Sequence, residues 1–337
     1  MKKTLTALTS ALLISTAQAE IADVHSHYIG AEYVQYLAEH DLSLKEGFPL
    51  PPWQLEDTLS FMQKAGITTS VLSLAPVHPY ADEYSPQFIR KLNEQMATLK
   101  QRYPGRFLIA ATLPLPDVRA AMAEAVYALD VLKADGIALG SNTDGQYLGD
   151  DELEPLMQLL DERAAVLIVH PHKPAGLPDQ LFRTTPLAMF EYPADTTRAV
   201  VNLIMHNTLV RYPHLKMVIP HGGSLLGLTI PRLKAIYPVV RARNLVGELD
   251  IEGSLKSLYF DLAGVENIET VRNMLSYTTP EHLLYGSDYP YFKEEVLLHN
   301  LSALKEKLLD DPNLKAYVAD ILGGNALRLF SRAGSEN

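Results

Sequence analysis

The chain has 337 residues, with 29 basic against 40 acidic side chains, a formal net charge of −11 and no cysteine. An acidic chain without a basic cluster is a poor partner for nucleic acid. The missing thiols exclude disulfides and leave imidazole and carboxylate as the metal donors, which suit zinc, manganese or iron better than copper(I).

At the start, Lys2 and Lys3 precede an apolar stretch over 5–14 and then Ala17-Gln18-Ala19. This is the layout of a secretory signal peptide over 1–19, with cleavage expected after Ala19 and a periplasmic or secreted location. The apolar run is far shorter than the ~20 residues that a membrane span needs, so no anchor is expected after cleavage. Residues 20–337 then read as a single domain, of a length ordinary for an α/β barrel.

Eight short, near-continuously apolar runs follow, around 21–25, 67–74, 107–113, 136–140, 165–170, 215–221, 258–263 and 282–287. Strands buried on both faces have this composition. Segments with helical spacing alternate with them, such as Leu55, Leu59 and Met62, or Leu153, Leu156, Leu159 and Leu160. The alternation predicts a (β/α)8 TIM barrel. Gly66, Gly136 and Pro213, the last after a helical pattern over 196–212, mark expected helix stops. The stretches 28–52 and 171–195, rich in Pro, Gly and aromatic residues, are expected to be active-site loops.

Chemistry-bearing residues recur where these runs end. In Asp23-Val24-His25-Ser26-His27 two imidazoles stand two residues apart, and on a strand both face the same way. His170 closes the fifth run, His221 the sixth, and Asp288 follows the eighth. In a barrel, the C-terminal rim of the strands is where catalytic groups gather. His25, His27, His170 and Asp288 make a mixed nitrogen and oxygen shell with room for water or substrate, as catalytic metal sites have. His221 then becomes a second-sphere acid or base, and Gly222-Gly223 behind it is expected to let a substrate approach the backbone. Taken singly, His170 reads as a core histidine and Asp288 as a turn residue; it is their common placement that points to metal. His78 and His172 are pocket or loop residues, whereas His40, His206, His214, His282 and His299 read as structural.

Several ordered motifs carry a resemblance: Asp23-Val24-His25-Ser26-His27, Val169-His170-Pro171, Asp195-Thr196-Thr197-Arg198, Arg211-Tyr212-Pro213-His214-Leu215-Lys216, His221-Gly222-Gly223 and Tyr285-Gly286-Ser287-Asp288-Tyr289-Pro290. Over nearly all of 20–337 the chain resembles the amidohydrolase superfamily, in the branch of aminocarboxymuconate-semialdehyde and 6-methylsalicylate decarboxylases. Pro49-Leu50-Pro51-Pro52-Trp53 is similar to the 6-methylsalicylate group. The resemblance implies a barrel of the metal-dependent hydrolase type and one divalent ion on His25, His27, His170 and Asp288. Zinc is the expected ion and manganese the alternative. The fourth run ends in Ile137-Ala138-Leu139-Gly140, without the lysine that a bridged two-metal site would use.

His221 and Asp288 are then the expected catalytic residues of a non-oxidative decarboxylase acting on a small aromatic or enoic carboxylic acid. Metal-assisted hydrolysis of a lactone, ester or amide is the alternative on the same shell, and a non-catalytic periplasmic ligand-binding protein is a second. Some relatives hold a second substrate carboxylate with an arginine after the first strand; 28–52 has none, which leaves Arg90, Lys173 or Arg183. Tyr28, Trp53, Phe190, Tyr192 and Tyr289 are aromatic-wall candidates. Relatives of this branch often pair, so a homodimer is expected, and the apolar segment 316–330 could serve it or the barrel.

Overall fold

The computed structural model describes residues 20–40, 49–74, 86–176 and 186–333. Eight strands form one parallel sheet: β1 (Ile21–Tyr28), β2 (Ile67–Leu74), β3 (Phe107–Thr112), β4 (Gly136–Gly140), β5 (Val166–His170), β6 (Lys216–Ile219), β7 (Tyr259–Asp261) and β8 (Leu283–Leu284). Each lies on one of the eight apolar runs. Neighbours in sequence are neighbours in the sheet, which closes where Val24 N donates to Tyr285 O (3.0 Å), His27 N to Tyr289 O and Asp288 N to His25 O (both 2.8 Å). Helices follow the strands in turn, over Leu55–Ala65, Pro86–Arg102, Val118–Val126, Glu154–Asp161, Glu191–Met205, Leu226–Ala242, Ile268–Met274 and Glu294–Asp310. The protein is therefore a (β/α)8 barrel. Among the described residues no helix is long and apolar enough to cross a membrane.

Two apolar clusters account for its cohesion. The larger fills the layer between strands and helices, with Leu72, Ile109, Leu139, Leu167 and Ile219 facing outward onto Phe61, Leu92 and Leu203. The smaller gathers Val24, Val71, Ala110, Ala138, Ile168, Val218 and Leu284 with Ala326, Leu329 and Phe330 of the terminal helix Asn325–Ala333. The apolar C-terminal segment thus packs on its own barrel.

Several boundaries depart from expectation. The stretch 28–52 contains a helix, Ala31–Glu39, and the next long loop ends earlier than expected because a helix starts at Glu191. The 196–212 pattern is broken by Asn207, whose φ of 50° splits it into Glu191–Met205 and Thr208–Arg211. Gly66 does end its helix in the left-handed conformation (φ 71°). Gly136, by contrast, is the first residue of β4, where a Cβ would come within 2.7 Å of Val166 O; its lack of a side chain serves strand contact rather than helix termination.

Candidate metal centre and active site

All eight strands run the same way, so their C-terminal ends open at one rim, and that geometry brings the predicted residues together. The ring of His25 lies 5.0 Å from His27, 5.5 Å from His170 and 5.1 Å from His221, and His27 and His170 are 5.1 Å apart. One nitrogen from each of His25, His27 and His170 lies within 4.8 Å of the others, and all three side chains are buried. Asp288 Oδ1 joins them at 3.2 Å from His27 Nε2 and 3.6 Å from His25 Nε2. Two of these side chains stand on strained backbone: His221 has φ 54° and Asp288 φ 62°. Hydrogen bonds hold both in place, from His221 N to Asp261 Oδ1 (3.0 Å) and from Asp288 N to His25 O.

Each imidazole is aimed by its other nitrogen. His25 Nδ1 meets Asp261 Oδ2 at 2.8 Å, and His170 Nδ1 meets Pro171 O at 2.8 Å. With the proton on Nδ1 in each case, Nε2 turns its lone pair toward the cluster. His27 is held less firmly, with Ser73 Oγ at 3.4 Å from its Nδ1. His25 Nε2 is buried and has no hydrogen-bond partner. A buried polar atom without a partner is costly, and here a divalent ion between three imidazoles and a carboxylate would satisfy it. The donors fit such an ion by chemistry and by convergence.

The electrostatics agree. Burial works against charge on His25, but the Asp261 carboxylate, with Asp288 and Asp23, overrides it and carries the group up to about 9. Burial, reinforced by neighbouring imidazoles, pushes His170 well below its ordinary value; burial also lowers His27 and His221. Against its own burial, the His27 hydrogen bond and the charge of His25 hold Asp288 far below the usual carboxylate range. His27, His170 and His221 thus favour neutrality, whereas the carboxylates around His25 favour a positive charge there, which an incoming ion would supply in place of the Nε2 proton.

Sequence reading missed Asp261, buried at the end of β7, which orients His25 and also accepts from His221 N and Ala263 N. It missed Asp23 as a tie between the first and last strands: its carboxylate accepts from His25 N (3.1 Å), Ser287 N (2.9 Å) and Ser287 Oγ (2.6 Å). It also missed Tyr291, whose ring lies 5.4 Å from His27. A lone aspartate ending an apolar strand was the available signal for Asp261.

The remaining candidates divide between the site and the packing around it. Gly222 and Gly223 are not a substrate approach: both are buried with φ 62° and 72°, and a Cβ on either would meet Met274 and Val265, or Leu226 and Phe260. Arg90 is engaged on the helical layer by Glu124 (2.9 Å) and the Tyr127 ring. Tyr289 stacks on Phe61 in the core and Tyr28 packs edge-on against Trp53. Phe190 is exposed, while Tyr192 lies 6.3 Å from His170. His172 is buried beside the site, and Lys173 is half-buried in the same loop. His78, Arg183 and the segment 1–19 lie outside the described residues.

Comparison with known proteins gives one consistent picture. The profile of the family described as amidohydrolase matches residues 22–332. The chain is 31% identical to decarboxylase macB of Penicillium terrestre over 92% of its length and 94% of that protein. It is equally 31% identical to the 6-methylsalicylic acid decarboxylase of Penicillium expansum, over 92% of this chain and 96% of that one. Among solved structures, 5-carboxyvanillate decarboxylase LigW2 of Novosphingobium aromaticivorans, with bound manganese and 3-methoxy-4-hydroxy-5-nitrobenzoic acid, superposes with a TM-score of 0.81 at 21% identity, covering 93% of this chain and 97% of that one.

Proposed function

The chain belongs to the amidohydrolase family, and from that premise we propose that it is a metal-dependent, non-oxidative decarboxylase of a small aromatic carboxylic acid. One observation carries the reading: over more than nine-tenths of its length the chain aligns with decarboxylases, and its converging His25, His27, His170 and Asp288 offer the donor set such chemistry needs. These four residues would hold one divalent ion, because the rim position on β4 that pairs with His170 is Gly140 rather than a lysine. Nitrogen-rich donors favour zinc; the manganese in LigW2 supports the alternative. When bound, the ion would act as a Lewis acid that fixes the substrate carboxylate and a neighbouring oxygen.

The protein's own groups supply the rest. Tyr192 and Tyr291, set against His170 and His27, flank the site and suit a flat ring. Asp288, set on the rim beside His25 and His27, is the proton carrier: it takes the proton of the incoming acid or its hydroxyl group and holds it for the ring carbon. The bond between ring carbon and carboxyl carbon breaks, its electron pair stays on the ring carbon, Asp288 returns a proton there, and carbon dioxide leaves. His221, uncharged and beside His25, hydrogen-bonds the reacting group. The segment 1–19 is proposed to direct export, on the strength of Lys2, Lys3, the apolar run and Ala17-Gln18-Ala19.

The test is carbon dioxide release from a panel of hydroxybenzoates by zinc- and manganese-loaded protein, beside the His221→Ala variant. Release by the parent that is lost in the variant, with metal content unchanged, is expected. No release on a broad panel, with about one metal bound per chain, would redirect the assignment to lactones and esters.

A further inference from the structure

The Asp195-Thr196-Thr197-Arg198 motif takes no part in the chemistry above, yet Asp195 is completely buried. Its carboxylate accepts from four side chains: Ser141 Oγ, Tyr147 OH, Asn142 Nδ2 (2.8 Å) and Arg198 Nη1 (3.2 Å). Ser141 and Asn142 follow β4, Tyr147 closes the short hairpin of 142–143 with 146–147, and Asp195 lies on the helix Glu191–Met205. Ser141 straddles the end of β5, since its backbone N donates to His170 O (2.8 Å) and its Oγ accepts from His172 N (2.9 Å). Asn142 Nδ2 reaches the same loop through Lys173 O (3.3 Å). Between these anchor points lies Pro171, whose carbonyl receives the Nδ1 hydrogen bond of His170.

We infer that Ser141, fixed by Asp195, is a positioning residue for His170. The Asp195 carboxylate fixes the Ser141 hydroxyl, the hydroxyl fixes the 170–172 backbone, and the Pro171 carbonyl so placed sets the tautomer and aim of the His170 ring. A buried carboxylate is suited to the task because it presents acceptor sites in several directions at once and cannot turn to water. Groups that orient a metal ligand typically change metal affinity 10–100-fold when removed. The inference rests on the metal-centre reading above, and it adds residues outside the donor set to the determinants of that centre.

Cobalt(II) is the probe, because its visible absorption reports ligand geometry directly. The full chain is titrated with Co2+ against a competing chelator as the parent, as Ser141→Ala and as Asn202→Ala. Asn202 Nδ2 bonds Leu148 O and Asp150 Oδ1 beside the same hairpin rather than the 170–172 segment, so its variant controls for loss of stability alone. Ser141→Ala is expected to bind Co2+ roughly tenfold more weakly with a shifted visible band, and Asn202→Ala to keep both parental values. An unchanged band and affinity in folded Ser141→Ala, or an equal change in Asn202→Ala, would overturn the inference while leaving the metal centre intact. If Ser141→Ala does not fold, Asp195→Asn is read in the same titration with the same expected shift. Absence of Co2+ binding by the parent would instead remove the metal-centre reading itself.

Discussion

Asp261 illustrates how much of this site is decided by a single hydrogen atom. Its Oδ1 already accepts from two backbone groups, His221 N and Ala263 N, so its orientation is fixed and Oδ2 faces His25 Nδ1. In Asp261→Asn those two amides still demand an acceptor, which leaves the new amide nitrogen pointing at His25. A donor there forces the imidazole proton onto Nε2, the atom needed for metal. The variant should therefore lose roughly 10–100-fold in metal affinity with little change in fold, as a chelator-competition titration would measure. Parental affinity would mean that His25 is aimed by something other than Asp261. The convergence of His25, His27, His170 and Asp288 was legible in the sequence because each stands at or just past the end of an apolar run, a local pattern. Asp261 carries the same local signal, but its role was not legible, because that role comes from a partner 236 residues away.

At the scale of elements, the turn after β6 shows why residue type alone misleads. Two glycines beside a catalytic-looking histidine suggest an approach path, but their backbone is left-handed and their Cα atoms are walled in. An alanine Cβ at 223 would lie 2.7 Å from Leu226 and 2.9 Å from Phe260. At Gly264, where φ is 64°, nothing lies within 4 Å. Both substitutions incur the left-handed penalty of about 1–2 kcal/mol, but only Gly223→Ala adds overpacking of about 1–3 kcal/mol. Urea unfolding should show a clearly lower midpoint for Gly223→Ala than for Gly264→Ala, at equal slope; equal midpoints would mean that the turn yields freely. Strands were readable from composition, since burial on both faces demands continuous apolar residues. Helix ends were less so: Asn207 breaks a good helical pattern through its own backbone conformation, and Gly136 is dictated by β5 alongside it. Neither cause lies in local periodicity.

For the molecule as a whole, the barrel brings donors from its first, fifth and eighth strands to one point, which raises the question of whether an ion there holds the barrel together. The contacts argue that it does not. β1 and the β8 rim are joined by backbone hydrogen bonds from Val24, His27 and Asp288 and by the Asp23–Ser287 pair, and the terminal helix packs into the apolar cluster inside the barrel. Closure therefore precedes metal, and the ion should act as a ligand of an already folded protein. A ligand at a hundred times its dissociation constant stabilises by about 2.7 kcal/mol, which in a chain of this length corresponds to a melting shift of about 4 °C. Chelator-treated protein should accordingly keep its far-ultraviolet circular dichroism and a cooperative transition, melt about 4 °C lower and lose turnover, with both restored by one divalent ion per chain. Loss of the cooperative transition on chelation would reverse the order, because it would make the ion part of what closes the barrel rather than a guest at its rim.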